Sequence, residues 1–160
     1  MVTFGGTDVL GLTMPVTKAL IKVFGEEQVF DIVTSKKLDE ADFDNVNIHE
    51  NCNYMAKLMS RCTLAISAGG TTLGELSVME VPTILVVVAD NQEKHATWVK
   101  NNGINLVIDA RNEPNVEEKI GLAARDLMNN PARRAEMAYE NKKIVDGHGV
   151  VRVVDQILSL

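Results

Sequence analysis

Residues 82–89, Pro-Thr-Ile-Leu-Val-Val-Val-Ala, form a near-continuous aliphatic run. A strand with one wet face would alternate apolar and polar positions. A strand apolar at nearly every position is expected inside a parallel sheet covered on both faces by helices. The surrounding segments fit that frame. Short apolar runs at 2–4, 30–34, 46–49, 63–67 and 104–108 predict further strands. Between them, Leu12, Val16, Leu20 and Val23 recur at helical spacing over 13–24, with Pro15 tolerated in a first turn. Helices are also expected over 54–62, 72–80, 92–101, 116–128, 132–145 and 150–158. Such alternation with short connections predicts an α/β fold, a Rossmann-like parallel sheet with helices on both faces, built as one domain over residues 1–160.

In open sheets of this kind ligands sit beyond the carboxyl ends of the strands. The loops at those ends, 5–11, 49–53, 67–72 and 89–92, are the most distinctive chemistry in the chain. The sharpest reads Ile66-Ser-Ala-Gly-Gly-Thr-Thr-Leu-Gly-Glu75. A strand runs into Gly69 and Gly70, and a helix starts at once. Glycines let a ligand approach the backbone, and the first helical N–H groups carry partial positive charge. The hydroxyls of Ser67, Thr71 and Thr72 are further candidate donors to phosphate oxygens. Glu75 has two open roles: Thr72-Leu-Gly-Glu75 fits a capping box, and a carboxylate one turn in can accept bonds from both ribose hydroxyls. Phe4-Gly-Gly-Thr-Asp8 also ends a strand on a glycine pair, so its amides could face the same pocket. Asp90 and Glu93 fit a helix-start capping pair, while the amides of Asn91 and Gln92 suit sugar hydroxyls. His95 and Trp98 share a helix face, with Trp98 expected in the core. His49 and Glu50 are expected in a loop at the pocket rim.

Composition excludes several classes. A formal charge of −6 over 160 residues argues against a broad nucleic-acid surface. No apolar run reaches membrane-spanning length, and the N-terminus lacks the pattern of a signal peptide. Cys52 and Cys62 are spaced for neither a redox nor a zinc motif, and the histidines do not supply metal-ligand spacing. Reduced thiols, a cytoplasmic location, no metal and no cofactor are therefore expected. Neither the Gly-x-Gly-x-x-Gly nor the Walker A pattern is present, and there is no nucleophile elbow. The start on a strand suggests a preceding domain or partner subunit.

The ordered set Phe4-Gly-Gly-Thr-Asp8, His49-Glu-Asn with Met55-Ala-Lys-Leu-Met59, 66–75, and Asn91-Gln-Glu93 resembles the C-terminal domain of GT-B-fold sugar-nucleotide enzymes. With Ala96-Thr-Trp98 added, it looks most like the UDP-sugar hydrolase of pseudaminic acid biosynthesis and its spore-coat polysaccharide relatives. It is also similar to the N-acetylglucosaminyltransferase of peptidoglycan precursor synthesis. The resemblance implies that UDP binds in a cleft facing a second domain. Gly6 and Thr7 would lie by the diphosphate, with Ser67, Gly69, Gly70, Thr71 and Thr72 holding its oxygens. Glu75 would accept the ribose hydroxyls, the backbone around Cys52 and Asn53 would meet uracil, and Asn91 and Gln92 would meet the sugar. The whole enzyme would release UDP from an amino-deoxy sugar to water. A glycosyltransferase donor domain and a non-catalytic nucleotide-sugar sensor are the alternatives. Catalytic groups are expected on the other domain, leaving this one inactive alone.

Overall fold

A computed structural model describes residues 1–38 and 43–160. Six strands form one all-parallel sheet: β1 (Val2–Thr3), β2 (Phe30–Thr34), β3 (Val46–Glu50), β4 (Ala65–Ala68), β5 (Thr83–Val87) and β6 (Leu106–Asp109). Their spatial order is β3-β2-β1-β4-β5-β6. The helices are α1 (Thr13–Phe24), α2 (Met55–Met59), α3 (Thr72–Val78), α4 (Glu93–Asn101), α5 (Val116–Met128), α6 (Pro131–Ile144) and α7 (Gly149–Leu158). The domain is α/β, as the alternation of apolar runs predicts.

Burial explains the layering. All five residues of β5 are buried, so the aliphatic run does lie between two helix layers. Ile84, Val86 and Val88 pack with Val16 and Leu20 of α1 and with Ile120 and Ala124 of α5. Leu85 and Val87 point the other way, against Leu73, Ala96 and Val99 from α3 and α4. Alternate side chains of one strand thus fill two separate cores. Met59, Ala65, Leu76 and Val81 close a third cluster under α2 and α3. Among the described residues, no helix is long and apolar enough to cross a membrane.

Three local expectations are corrected by tertiary contacts. His49 and Glu50 belong to β3 rather than a loop, because β3 pairs with β2 as far as Val33–His49 and Thr34–Glu50. Trp98 is 46% exposed and stacks on His95, so it is not a core residue. Asp90 and Glu93 do not cap a helix start. A 3₁₀ turn over Asp90–Gln92 leads into α4, and both carboxylates bind the Arg111 guanidinium, at 2.7 and 3.2 Å.

Asp8 takes a role the sequence motif did not disclose. Its φ of +38° is in the left-handed region, which aspartate tolerates better than most residues. In that turn its carboxylate accepts the backbone N–H groups of Leu12 at 2.9 Å and Thr13 at 3.1 Å. Asp8→Ala should therefore cost about 1–2 kcal/mol, as for lost helix caps. A thermal melt should show that as a Tm lower by roughly 3–6 °C.

Candidate functional site

The sheet order reverses between β1 and β4, and the crevice outside the carboxyl ends of such a strand pair is where open α/β sheets take ligands. The two glycine-pair loops flank that crevice, one after β1 and one after β4. An open groove of about 290 Å³ lies here. Gly5 and Gly6 line it from the β1 loop, Thr34 and Ser35 from the end of β2 and just beyond it, Asn51 and Cys52 from beyond β3, and Thr72 and Glu75 from α3. That volume sits at the low end of small-molecule pockets and is too small to enclose a whole nucleotide-sugar. A larger surface groove between α1 and α5 and a small cavity at the opposite end of β1 and β4 carry none of the candidate residues.

The groove brings together Gly6, Cys52, Thr72 and Glu75. Gly5 makes the turn after β1 with φ +72°, and the Ser35 hydroxyl donates to the Gly6 carbonyl, tying that loop to β2. Asp8 already takes the amides of Leu12 and Thr13 where α1 begins, and what the β1 loop presents to the groove is its Gly5–Gly6 backbone. Thr7 is exposed on the same loop but outside the groove lining. Asn53 is likewise exposed, one residue beyond Cys52. Both cysteines are free thiols.

At the β4 end the backbone is open. Leu73 and Gly74 bond back to the carbonyls of Gly70 and Thr71. The N–H groups of Gly70, Thr71 and Thr72 meet no protein acceptor among the described residues. Gly70 has empty space where a Cβ would stand, so no neighbour demands a glycine there. Gly69 differs: a Cβ would come within 3.2 Å of Gln92 and Leu85, so its lack of a side chain serves packing. Thr71 is the residue preceding α3, exposed and making no side-chain cap. The Ser67 hydroxyl expected to meet phosphate is instead buried, at 1% exposure, and donates to the Ala68 carbonyl at 3.1 Å.

The 89–92 turn does not line the groove. Asn91 is exposed, while the Gln92 amide oxygen accepts the Val88 N–H at 3.0 Å, leaving only its NH₂ for a ligand. Gln92 thereby braces its turn against the Gly69 loop. Arg111, which no motif singled out, holds the turn from the other side through Asp90, Glu93 and Asp109. Its hydrogen bonds to Asp109, Asp90 and Glu93 push the guanidinium pKa still further upward. The same pairing lowers that of Asp109. Asn51, Ser35 and Met55 also stand on the groove wall, though none was a candidate site residue. Asn51 lies in the strand-end loop 49–53 and Met55 in the Met55–Met59 motif, and Asn51 takes a left-handed φ of +48°.

Comparison with known proteins agrees with this architecture. The chain superposes on the MurG protein of Acinetobacter baumannii with a TM-score of 0.75 at 21% identity, covering 99% of this chain and 49% of that one. The calicheamicin glycosyltransferase aligns with a TM-score of 0.72 at 20% identity, over 99% of this chain and 40% of its own. The fold is thus that of GT-B half-domains. In sequence, the chain is 37% identical over 99 residues to a UDP-N-acetylglucosamine–N-acetylmuramyl-(pentapeptide) pyrophosphoryl-undecaprenol N-acetylglucosamine transferase of Exiguobacterium sp., covering 56% of this chain and 28% of that protein. The Listeria monocytogenes protein of the same name is 29% identical over 111 residues, covering 66% and 30%. The chain spans about 30% of the length of these curated relatives. The sequence profile of the glycosyltransferase family 28 C-terminal domain matches residues 11–153, nearly the full chain. On that match, the chain belongs to the glycosyltransferase family 28 C-terminal domain family.

Proposed function

We propose that the groove at the β1–β4 switch point is the donor site of a glycosyltransferase and holds the UDP of a UDP-sugar. The observation that carries this reading is the meeting of the Gly5–Gly6 backbone, the Thr72 helix start and the Glu75 carboxylate in one groove. Backbone amides supply local positive potential to a diphosphate even on a chain of net charge −6. The amides of Gly70, Thr71 and Thr72 hold the phosphate oxygens, Glu75 takes the ribose, and the Cys52–Asn53 backbone takes the uracil edge. Asn91 and the free NH₂ of Gln92 face the sugar. As the bond from the anomeric carbon to UDP breaks, charge grows on the leaving diphosphate. Donors already in place favour that transition state over the ground state. The acceptor and the groups that activate it belong to a second domain or subunit, which also completes the small groove.

Transfer to a hydroxyl acceptor is preferred to release into water, because the family profile and the curated relatives are those of transferases. The family profile and the relatives named above are not those of the pseudaminic acid hydrolase or its spore-coat relatives. Titration calorimetry with UDP tests the site. Saturable binding in the micromolar to millimolar range is expected, and the absence of heat at millimolar UDP would remove the assignment. Incubating the parent enzyme with labelled UDP-N-acetylglucosamine, with and without a lipid acceptor, separates the two chemistries. Free sugar formed at equal rates in both would favour hydrolysis.

A further inference from the structure

Across β2, β3 and the two ends of α2, five polar side chains, those of Asp31, Asn47, His49, Tyr54 and Arg61, form one connected network that the proposed site does not use. Asp31 Oδ1 accepts from His49 Nε2 at 2.8 Å, Arg61 Nη2 at 3.0 Å and Asn47 Nδ2 at 3.3 Å. Asp31 and His49 are both largely buried, with side-chain exposures of 19% and 13%. Burial tends to raise the Asp31 pKa, yet the bonds from His49 and Asn47 and the charge of Arg61 outweigh it and lower it overall. The carboxylate stays ionised and can only accept, so His49 Nε2 must be the donor. The other ring nitrogen, Nδ1, lies 3.0 Å from the Tyr54 hydroxyl, within hydrogen-bond distance. The two rings also meet edge to face, with centroids 5.7 Å apart.

Tyr54 closes the short loop that carries Asn51, Cys52 and Asn53. At the other end of the loop, the Asn51 N–H donates to the Thr34 carbonyl at 3.0 Å. The Tyr54 carbonyl itself accepts from Lys57 at 3.0 Å and Leu58 at 3.3 Å, which starts α2. The loop is therefore pinned at both ends, and Cys52, between the pins, lines the groove. We infer that Tyr54, oriented through His49 and Asp31, is a positioning residue that sets the Asn51–Asn53 backbone against the nucleotide base. This rests on the nucleotide reading of the groove. A base edge recognised by main-chain groups is read only if that main chain is held still, because a displaced carbonyl or amide loses its bond to the ring.

The test uses the 160-residue chain and its Tyr54→Phe variant, which keeps the ring contact and removes one hydroxyl. Calorimetry should show UDP binding weakened roughly fivefold, the size of one neutral hydrogen bond. Inorganic pyrophosphate should bind unchanged, and the preference for UDP over CDP should fall by a similar factor. His49→Phe should give the same pattern, and the double variant no more than either single one. Equal losses for UDP and pyrophosphate, additive losses, or an unchanged UDP-to-CDP ratio would overturn the inference. Amide hydrogen exchange of the ligand-free protein gives a reading that needs no nucleotide. The Asn51 amide should exchange faster in Tyr54→Phe, and unchanged protection overturns the positioning role. Failure of the wild type to bind UDP, with faster Asn51 exchange in the variant, would instead bring down the nucleotide reading and leave the loop tether standing.

Discussion

Glu75→Ala is expected to weaken UDP binding by about ten- to hundredfold, while pyrophosphate binding and the melting temperature hardly change. The magnitude is that of hydrogen bonds to a charged acceptor, roughly 1.5–3 kcal/mol. The sequence left two roles open for this carboxylate, and geometry separates them. A capping box needs Glu75 to reach back to the residue that begins the helix. That residue is Thr71, already in helical conformation at φ −62° and ψ −29°, and no side chain caps it. The Glu75 side chain makes no hydrogen bond among the described residues and stands exposed on the groove wall. Its removal should cost the fold only the favourable interaction of a carboxylate with a helix N-terminus, about 0.3–1 kcal/mol. Calorimetry with both ligands, beside a thermal melt, reads the two effects apart. Equal weakening of UDP and pyrophosphate would mean that Glu75 acts by shaping the loop rather than by touching ribose.

The largest expected loss of stability lies far from the groove, at Asn141→Leu. Asn141 is 0% exposed in α6 and joins three other segments. Its Nδ2 donates to the Val81 carbonyl at 3.1 Å and to Asn105 Oδ1 at 3.3 Å. Its Oδ1 accepts from Asn105 Nδ2 at 2.9 Å and from the Ser77 hydroxyl at 3.2 Å. Asn105 in turn accepts the Thr83 N–H at 3.0 Å, at the start of β5. Leucine fills similar space, so the penalty arises from lost hydrogen bonds rather than from a cavity. Asn105 Nδ2 is left unpaired, while the Val81 carbonyl keeps the Thr83 hydroxyl, the Ser77 hydroxyl keeps the Leu73 carbonyl and Asn105 Oδ1 keeps the Thr83 N–H. An orphaned buried donor costs roughly 1–3 kcal/mol and each further lost bond about 0.5–1.5 kcal/mol, so a total of about 3–5 kcal/mol is expected. A Tm fall of roughly 6–15 °C should follow in a chain of this size. UDP affinity at temperatures where the variant is folded should stay unchanged. A melt within about 2 °C of wild type would show that the network can be satisfied by rearrangement or by water.

Regular local structure was legible in the sequence because it repeats over a few residues. The spacing of Leu12, Val16, Leu20 and Val23 sets α1 at Thr13–Phe24, and the run at 30–34 coincides with β2. The unbroken aliphatic run implied a strand covered on both faces, and β5 is one. From such elements the parallel α/β class follows by elementary packing, and with it the crevice at the strand ends. The motif at 66–75 also marked where the backbone opens, since glycines and a helix start are local facts. Contacts between distant residues were decided only in three dimensions. Asp90 and Glu93 look like a cap, yet Arg111, eighteen or more positions away, claims both. Ser67 looks like a phosphate donor, yet the pleat of β4 turns its hydroxyl inward. Asp31, His49 and Tyr54 become neighbours only because β2 and β3 pair in one register, with Val33 opposite His49. A side chain's partner depends on how layers stack and strands align, and those are properties of the whole sheet rather than of any short stretch of sequence.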